Sequence, residues 1–118
     1  MLIPAQKAKE FGTTFSTCIQ TFDQTLGNEK REITTAAEVS FQLYTAMACG
    51  ADMFEYFTYN SLKDMVNNVT FNGIIDLNGD KTELYDGVKE ANTNAFSFAD
   101  VINVFDWQGA QVSNARTS

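Results

Sequence analysis

The sequence predicts an α/β domain, and three stretches carry that expectation. Thr13 to Phe22 is rich in Thr, Phe and Ile, and neither of its alternating faces holds a charge, which suits a strand covered on both sides as in a parallel sheet. Ala46 to Asn60, AMACGADMFEYFTYN, finishes an amphipathic helix, turns at Cys49-Gly50 and runs as an aromatic-rich strand from Asp52 to Tyr59 into polar residues. From Thr82 onward Leu84, Val88, Ala91, Ala95, Phe98, Ile102 and Phe105 recur in steps of four and three, the stripe of a long one-sided helix.

In chain order, Pro4 stands at a first helical position, good helix formers follow from Ala5 to Phe11, and Gly12 stops them. After the first strand, Asp23 to Thr34 is polar, with Gly27-Asn28 and the charges Glu29, Lys30 and Arg31, so a loop is expected there. Thr35-Ala36-Ala37-Glu38 has the form of a capping box, which explains Glu38 more locally than catalysis does. The helix that follows sets Val39, Leu43 and Met47 beside the small residues Ala36, Ala46 and Gly50, a side able to approach a sheet closely.

Asn60 to Asn72 is expected as a long loop carrying the sequon Asn68-Val69-Thr70, and Phe71 to Leu77 as a short strand before the turn Asn78-Gly79. Asp76, Asn78 and Asp80 resemble a calcium loop only briefly, because the glycine and closing-glutamate positions do not match. Asp80 followed by Glu83 reads instead as a second helix start. Trp107-Gln108-Gly109 ends the last helix, giving a domain over 1–109 and a loose tail over 110–118.

A chain of 118 residues makes one small domain, and 44% apolar against 19% charged residues places it outside the disordered class. No apolar run is long enough to span a bilayer, and a net charge of −7 disfavours nucleic acid and anionic lipid as partners. No secretion-signal pattern precedes the first element. With no His and only Cys18 and Cys49, a Cys/His zinc site is excluded, and neither a metal nor a cofactor is expected. Both cysteines are expected as buried thiols, a disulfide remaining the alternative. GxGxxG and Walker patterns are absent, and the usual general base, His, is missing.

The run YTAMACGADMFEYFTYNS, followed by GIIDLNGDKTELYDGVKEAN, resembles the last two βα units of TIM-barrel glycoside hydrolases of the β-galactosidase type. In that family a helix ending in Ala-x-Gly-Ala leads into the eighth strand, which closes on a Tyr-Phe-x-aromatic motif. The resemblance covers about residues 5 to 107 and implies a partial (β/α)8 barrel: a preceding helix, the seventh strand at Thr13 to Phe22, the eighth at Asp52 to Tyr59, and a long C-terminal helix. It implies a C-terminal fragment that hydrolyses or binds glycosides in its parent and is inactive alone. The alternative is a non-catalytic carbohydrate-binding or protein-association α/β domain.

By the same resemblance Tyr59 falls where an aromatic ring supports a sugar face, and Gln20 falls where the nucleophilic carboxylate stands. Gln20, Tyr59 and Asn60 are therefore the substrate-binding candidates, the Gln20 amide serving as a hydrogen-bond partner for a sugar hydroxyl. An amide cannot act as the nucleophile, so Glu55 and Asp23 are the catalytic candidates. Glu55 stands in an otherwise apolar strand, where burial would raise its pKa, with a structural role as the competing reading. Two strands taken from a barrel leave open edges and an uncovered inner face, from which homo-oligomer formation through those edges is expected.

Overall fold

Two strands of like direction cannot be joined by a tight turn, so the first parallel pair of this chain is built around a helix. The computed structural model describes residues 2–31 and 34–109; the expected tail at 110–118 lies outside them. Its elements are α1 (Leu2–Phe11), β1 (Ser16–Gln20), β2 (Asp23–Leu26), β3 (Glu29–Arg31), α2 (Ala36–Ala48), β4 (Met53–Phe57), β5 (Leu62–Asp64), β6 (Val69–Asn72) and α3 (Leu84–Ile102). β1 and β4 pair in parallel, Cys18 beside Glu55 and Gln20 beside Phe57, with α2 as the crossover. The other four strands make a separate antiparallel sheet in the order β3-β2-β6-β5.

This arrangement corrects the expectation of a partial (β/α)8 barrel. Over the described residues the chain is a small mixed α/β domain with one two-stranded parallel sheet and one four-stranded antiparallel sheet, not a run of parallel βα units. The polar stretch after the first strand is a hairpin turning at Gly27, whose φ of 60° is the left-handed region that glycine tolerates. Most of the expected loop from Asn60 to Asn72 is likewise strand, pairing back onto that hairpin. β2, β3 and β5 are three or four residues long and carry charges, so they show little of the apolar alternation by which a strand is recognised, and β6 (VTFN) alternates over only four residues.

Helix ends behave largely as their residues dictate. Gly12 (φ 63°) ends α1, and Thr13 N–H closes onto the Ala8 carbonyl. Thr35 Oγ1 accepts from Glu38 N–H while a Glu38 oxygen accepts from Thr35 N–H at 2.8 Å, completing the capping box of α2. The second expected box does not form: Asp80 donates its N–H to Asp76, and Glu83 caps α3 without any side-chain hydrogen bond. Asp76 Oδ1 also accepts from Asn78 N–H, so the calcium-like residues make an Asx turn.

The core lies where α2 meets the parallel pair and α3. Ile19, Val39, Ala46, Ile74, Leu84 and Val88 form one cluster; Leu43, Met47 and Ala91 form a second, with Phe54 packed against both. Ile19, Val39 and Leu43 are essentially sealed from water, each stabilising by about 1.5–3 kcal/mol. Leu84, Val88 and Ala91 of the α3 stripe are buried and Ala95 and Ile102 pack against the second cluster, while Phe98 and Phe105 remain exposed. Cys49 is buried, but Cys18 is exposed and both thiols are free, which corrects the expectation of two buried thiols.

Gly87 marks the tightest seat between helices, since a Cβ there would lie 2.3 Å from the Ala36 Cβ. Alanine would gain about 1 kcal/mol of helix propensity, whereas overpacking costs about 1–3 kcal/mol and Ala36 is held by the capping box. Gly87→Ala is therefore expected to lower stability in urea unfolding, and adding Ala36→Gly to restore it; a single variant more stable than the parent would show that the helices part freely.

Hydrogen bonds from Thr35 hold the Glu38 carboxyl below its ordinary range, and those from Asn67 and Asp80 do the same for Asp64 and Asp76. A carboxyl whose folded pKa is depressed stabilises above its unfolded pKa and loses that contribution as pH falls through the folded one. The melting temperature is expected to fall on acidification below about pH 4, where free carboxyls titrate, and less steeply in Glu38→Gln. Equal slopes in parent and variant would remove Glu38 from this account.

Candidate functional site

The end of β4 is fixed by its neighbours. Thr21 N–H donates to the Phe57 carbonyl (2.8 Å) and Thr21 Oγ1 to that of Thr58 (3.3 Å). Beyond them the chain runs beside residues 73–75, with Ile74 N–H on the Thr58 carbonyl and Ile75 N–H on that of Tyr59. Ser61 Oγ accepts from Gly73 N–H and donates to the Ile75 carbonyl, both at 2.8 Å. Thr21, Thr58 and Ser61 are all buried, and each hydroxyl has a partner. A polar strand exit is thereby held inside the domain without orphaned groups.

That fixed exit sets Tyr59 at the rim of a hollow of about 310 Å³ walled by Tyr56, Tyr59 and Tyr85, with Ile74 and Val88 as its floor and Lys89, Asn92 and Thr93 along one side. Tyr85, Lys89 and Asn92 lie four and three residues apart, one face of α3. The Tyr56 hydroxyl donates to Asn92 Oδ1, and among the described residues the Asn92 NH₂ has no hydrogen-bond acceptor, so it can serve a ligand. Burial pushes the Tyr56 phenol above its ordinary pKa, so it keeps its proton throughout the physiological range. Lys81 Nζ sits 4.0 Å from the Tyr85 ring centroid and steadies that wall.

The residues singled out from the sequence fall in different places. Tyr59 reaches the hollow, and Asn60 supports it through its backbone, accepting from Thr58 Oγ1 and bridging to Ile75. Gln20 does not face it: its amide donates to Thr34 Oγ1 and to the Phe22 carbonyl, tying down the strand exit. Asp23 lines a separate polar cup of about 540 Å³ beside Lys30 and Asn72. Glu55 stands exposed on the outer face of β4. The two catalytic candidates thus lie on different sheets, and neither lines the tyrosine hollow.

Tyr56, Tyr85, Lys89 and Asn92 were not singled out from the sequence. A signal existed, because Tyr85, Lys89 and Asn92 each follow directly a buried member of the apolar stripe, Leu84, Val88 or Ala91. The polar cup is less suited to a ligand, since Asp23 accepts from Asn72 Nδ2 and faces Lys30 (3.6 Å), while Thr82 Oγ1 is bonded to main-chain carbonyls. Among the described residues, the groove along Phe41, Tyr44 and Trp107 offers Thr45 as its only hydroxyl beside the Tyr44 phenol. No family model matches this chain, and no curated protein matches it.

Gly73 makes the closest approach at the site: a Cβ there would stand 2.5 Å from the Thr58 carbonyl oxygen and 2.9 Å from that of Tyr59. Since both are main chain, Gly73→Ala is expected to push residues 58–60 outward, cost about 1–3 kcal/mol and speed hydrogen exchange at Ile74 and Ile75. Unchanged exchange at those two amides would mean that Tyr59 is positioned by something else.

Proposed function

We propose that this chain binds carbohydrate without cleaving it, in the hollow between Tyr56, Tyr59 and Tyr85. The observation that carries the reading is the convergence of three phenol rings with the Asn92 amide, the Lys89 ammonium and the Thr93 hydroxyl. A pyranose presents a C–H face that packs on an aromatic ring and a rim of hydroxyls that need directed donors and acceptors, and this lining offers both. The volume, about 310 Å³, lies at the small end of ligand sites and suits one or two sugar units. Binding is favoured over hydrolysis because cleavage uses two carboxyl groups across one bond, whereas Glu55 and Asp23 stand apart from the hollow and from each other. The resemblance of Tyr44 to Ser61 and Gly73 to Asn92 to β-galactosidase-type enzymes adds to the carbohydrate reading, with Tyr59 in the platform role.

Titration calorimetry against a panel of mono- and disaccharides tests it. At least one sugar is expected to bind, with Tyr59→Ala and Tyr85→Ala each weakening it about tenfold, equivalent to about 1.4 kcal/mol. Phe98→Ala, at an exposed position outside the hollow, should leave affinity unchanged. Failure of every sugar to bind, or equal affinity in the tyrosine variants, would overturn the proposal.

A further inference from the structure

The dipeptide Asn-Gly occurs twice in this chain, at Asn72-Gly73 and at Asn78-Gly79. A glycine after asparagine has no Cβ to shield its main-chain nitrogen, so that nitrogen can reach the asparagine Cγ and attack it. Whether it does so depends on access of water, on freedom of the asparagine side chain and on freedom of the glycine N–H. The two sites differ in all three respects, for reasons independent of the carbohydrate reading.

Asn72 closes β6, and its side-chain amide donates to Asp23 Oδ1 (2.5 Å) and to Thr25 Oγ1 (3.0 Å). Gly73 is buried, and its N–H donates to Ser61 Oγ (2.8 Å). For the Gly73 nitrogen to meet the Asn72 Cγ, those three bonds must break and the pairing of Asn72 with Asp23 on β2 must open. Asn78 is placed otherwise. It stands in the turn enclosed by the Ile75–Lys81 bridge, where residues 77–80 are exposed. The Gly79 N–H makes a long bond to the Asp76 carbonyl (3.2 Å), and no atom lies within 4 Å of the place a Cβ would take. Of the groups that hold the Asp76 carboxyl below its ordinary range, the Asn78 side chain contributes least.

We propose that Asn78 is a site of spontaneous deamidation and isomerisation in the folded protein, and that the fold shields Asn72 from the same reaction. The Gly79 nitrogen gives its proton to hydroxide or a buffer base and bonds to the Asn78 Cγ. The Cγ–Nδ2 bond then breaks, and the amide nitrogen leaves as ammonia with a proton taken from solvent. Water opens the resulting cyclic imide at either carbonyl: opening at Cγ gives aspartate, and opening at the main-chain carbon leaves the chain running through Cγ as isoaspartate. Either product adds a negative charge between Asp76 and Asp80, and isoaspartate lengthens the turn that precedes α3 by a backbone carbon.

The test is incubation of the purified full chain at mildly alkaline pH over days, followed by proteolysis and fragmentation mass spectrometry, which assigns the amide-to-acid mass gain to its residue. In buffer, Asn78 is expected to convert to a mixture of aspartate and isoaspartate at least about tenfold faster than Asn72. In guanidinium chloride, with circular dichroism to show that the chain is unfolded, the two rates should come within about threefold of each other. Absence of conversion at Asn78 in the folded chain, or equal rates at the two asparagines there, would overturn the proposal. A preference for Asn78 that survives in denaturant would overturn it as well, because the protection of Asn72 would then not come from the fold.

Discussion

The seating of α2 is the constraint on which the remainder depends. β1 and β4 run parallel, so a helix must carry the chain back between them, and that helix is held only if its apolar side is met by both the strands and another helix. Val39, Leu43, Ala46 and Met47 supply the apolar side; Ile19 and Phe54 meet it from the sheet, and Val88 and Ala91 from α3. Gly87 lets α3 come within touching distance of Ala36 at the other helix's first turn. One residue without a side chain thus decides how near two helices lie.

The tyrosine hollow is a consequence of that packing. Tyr56 leaves the strand on the side of α3, Tyr85 and Asn92 project from α3, and Tyr59 follows the strand along a path set by residues 73–75. The path is polar, yet Thr21, Thr58 and Ser61 are buried along it. A satisfied hydrogen bond adds only about 1 kcal/mol, but an orphaned buried hydroxyl costs about 1–3 kcal/mol, so these residues matter by what their pairing avoids. Close approach at Gly73 belongs to the same device, because a side chain there would collide with two carbonyl oxygens.

β4 is asymmetric in its surroundings. Its inward residues, Phe54 and Tyr56, pack against the domain and form part of the hollow. Its outward residues, Met53, Glu55 and Phe57, face solvent and join an aromatic surface that reaches into the second sheet. Glu55 is costly to bury alone but inexpensive to leave in water, so its placement on that face is physically consistent.

Much of the chain was legible in its sequence wherever the deciding physics is local. Gly12 as a helix stop, Thr35 with Glu38 as a cap, Gly50 as a turn and the stripe Leu84, Val88, Ala91 all act within a few residues of themselves, and all stand as read. The antiparallel sheet was not legible, because Asp23–Leu26, Glu29–Arg31 and Leu62–Asp64 are strands by virtue of backbone bonds to one another rather than apolar alternation. The barrel expected from resemblance gave way at that sheet. Tyr59 was a candidate in the sequence and lies at the rim of the hollow, but Tyr85 and Asn92 meet it only through folding, since 26 positions separate Tyr59 from Tyr85. Sequence by itself determined the helices, the cap of α2 and the parallel pair; tertiary structure alone decided which short polar segments pair and which side chains share a hollow, because those contacts join elements distant along the chain.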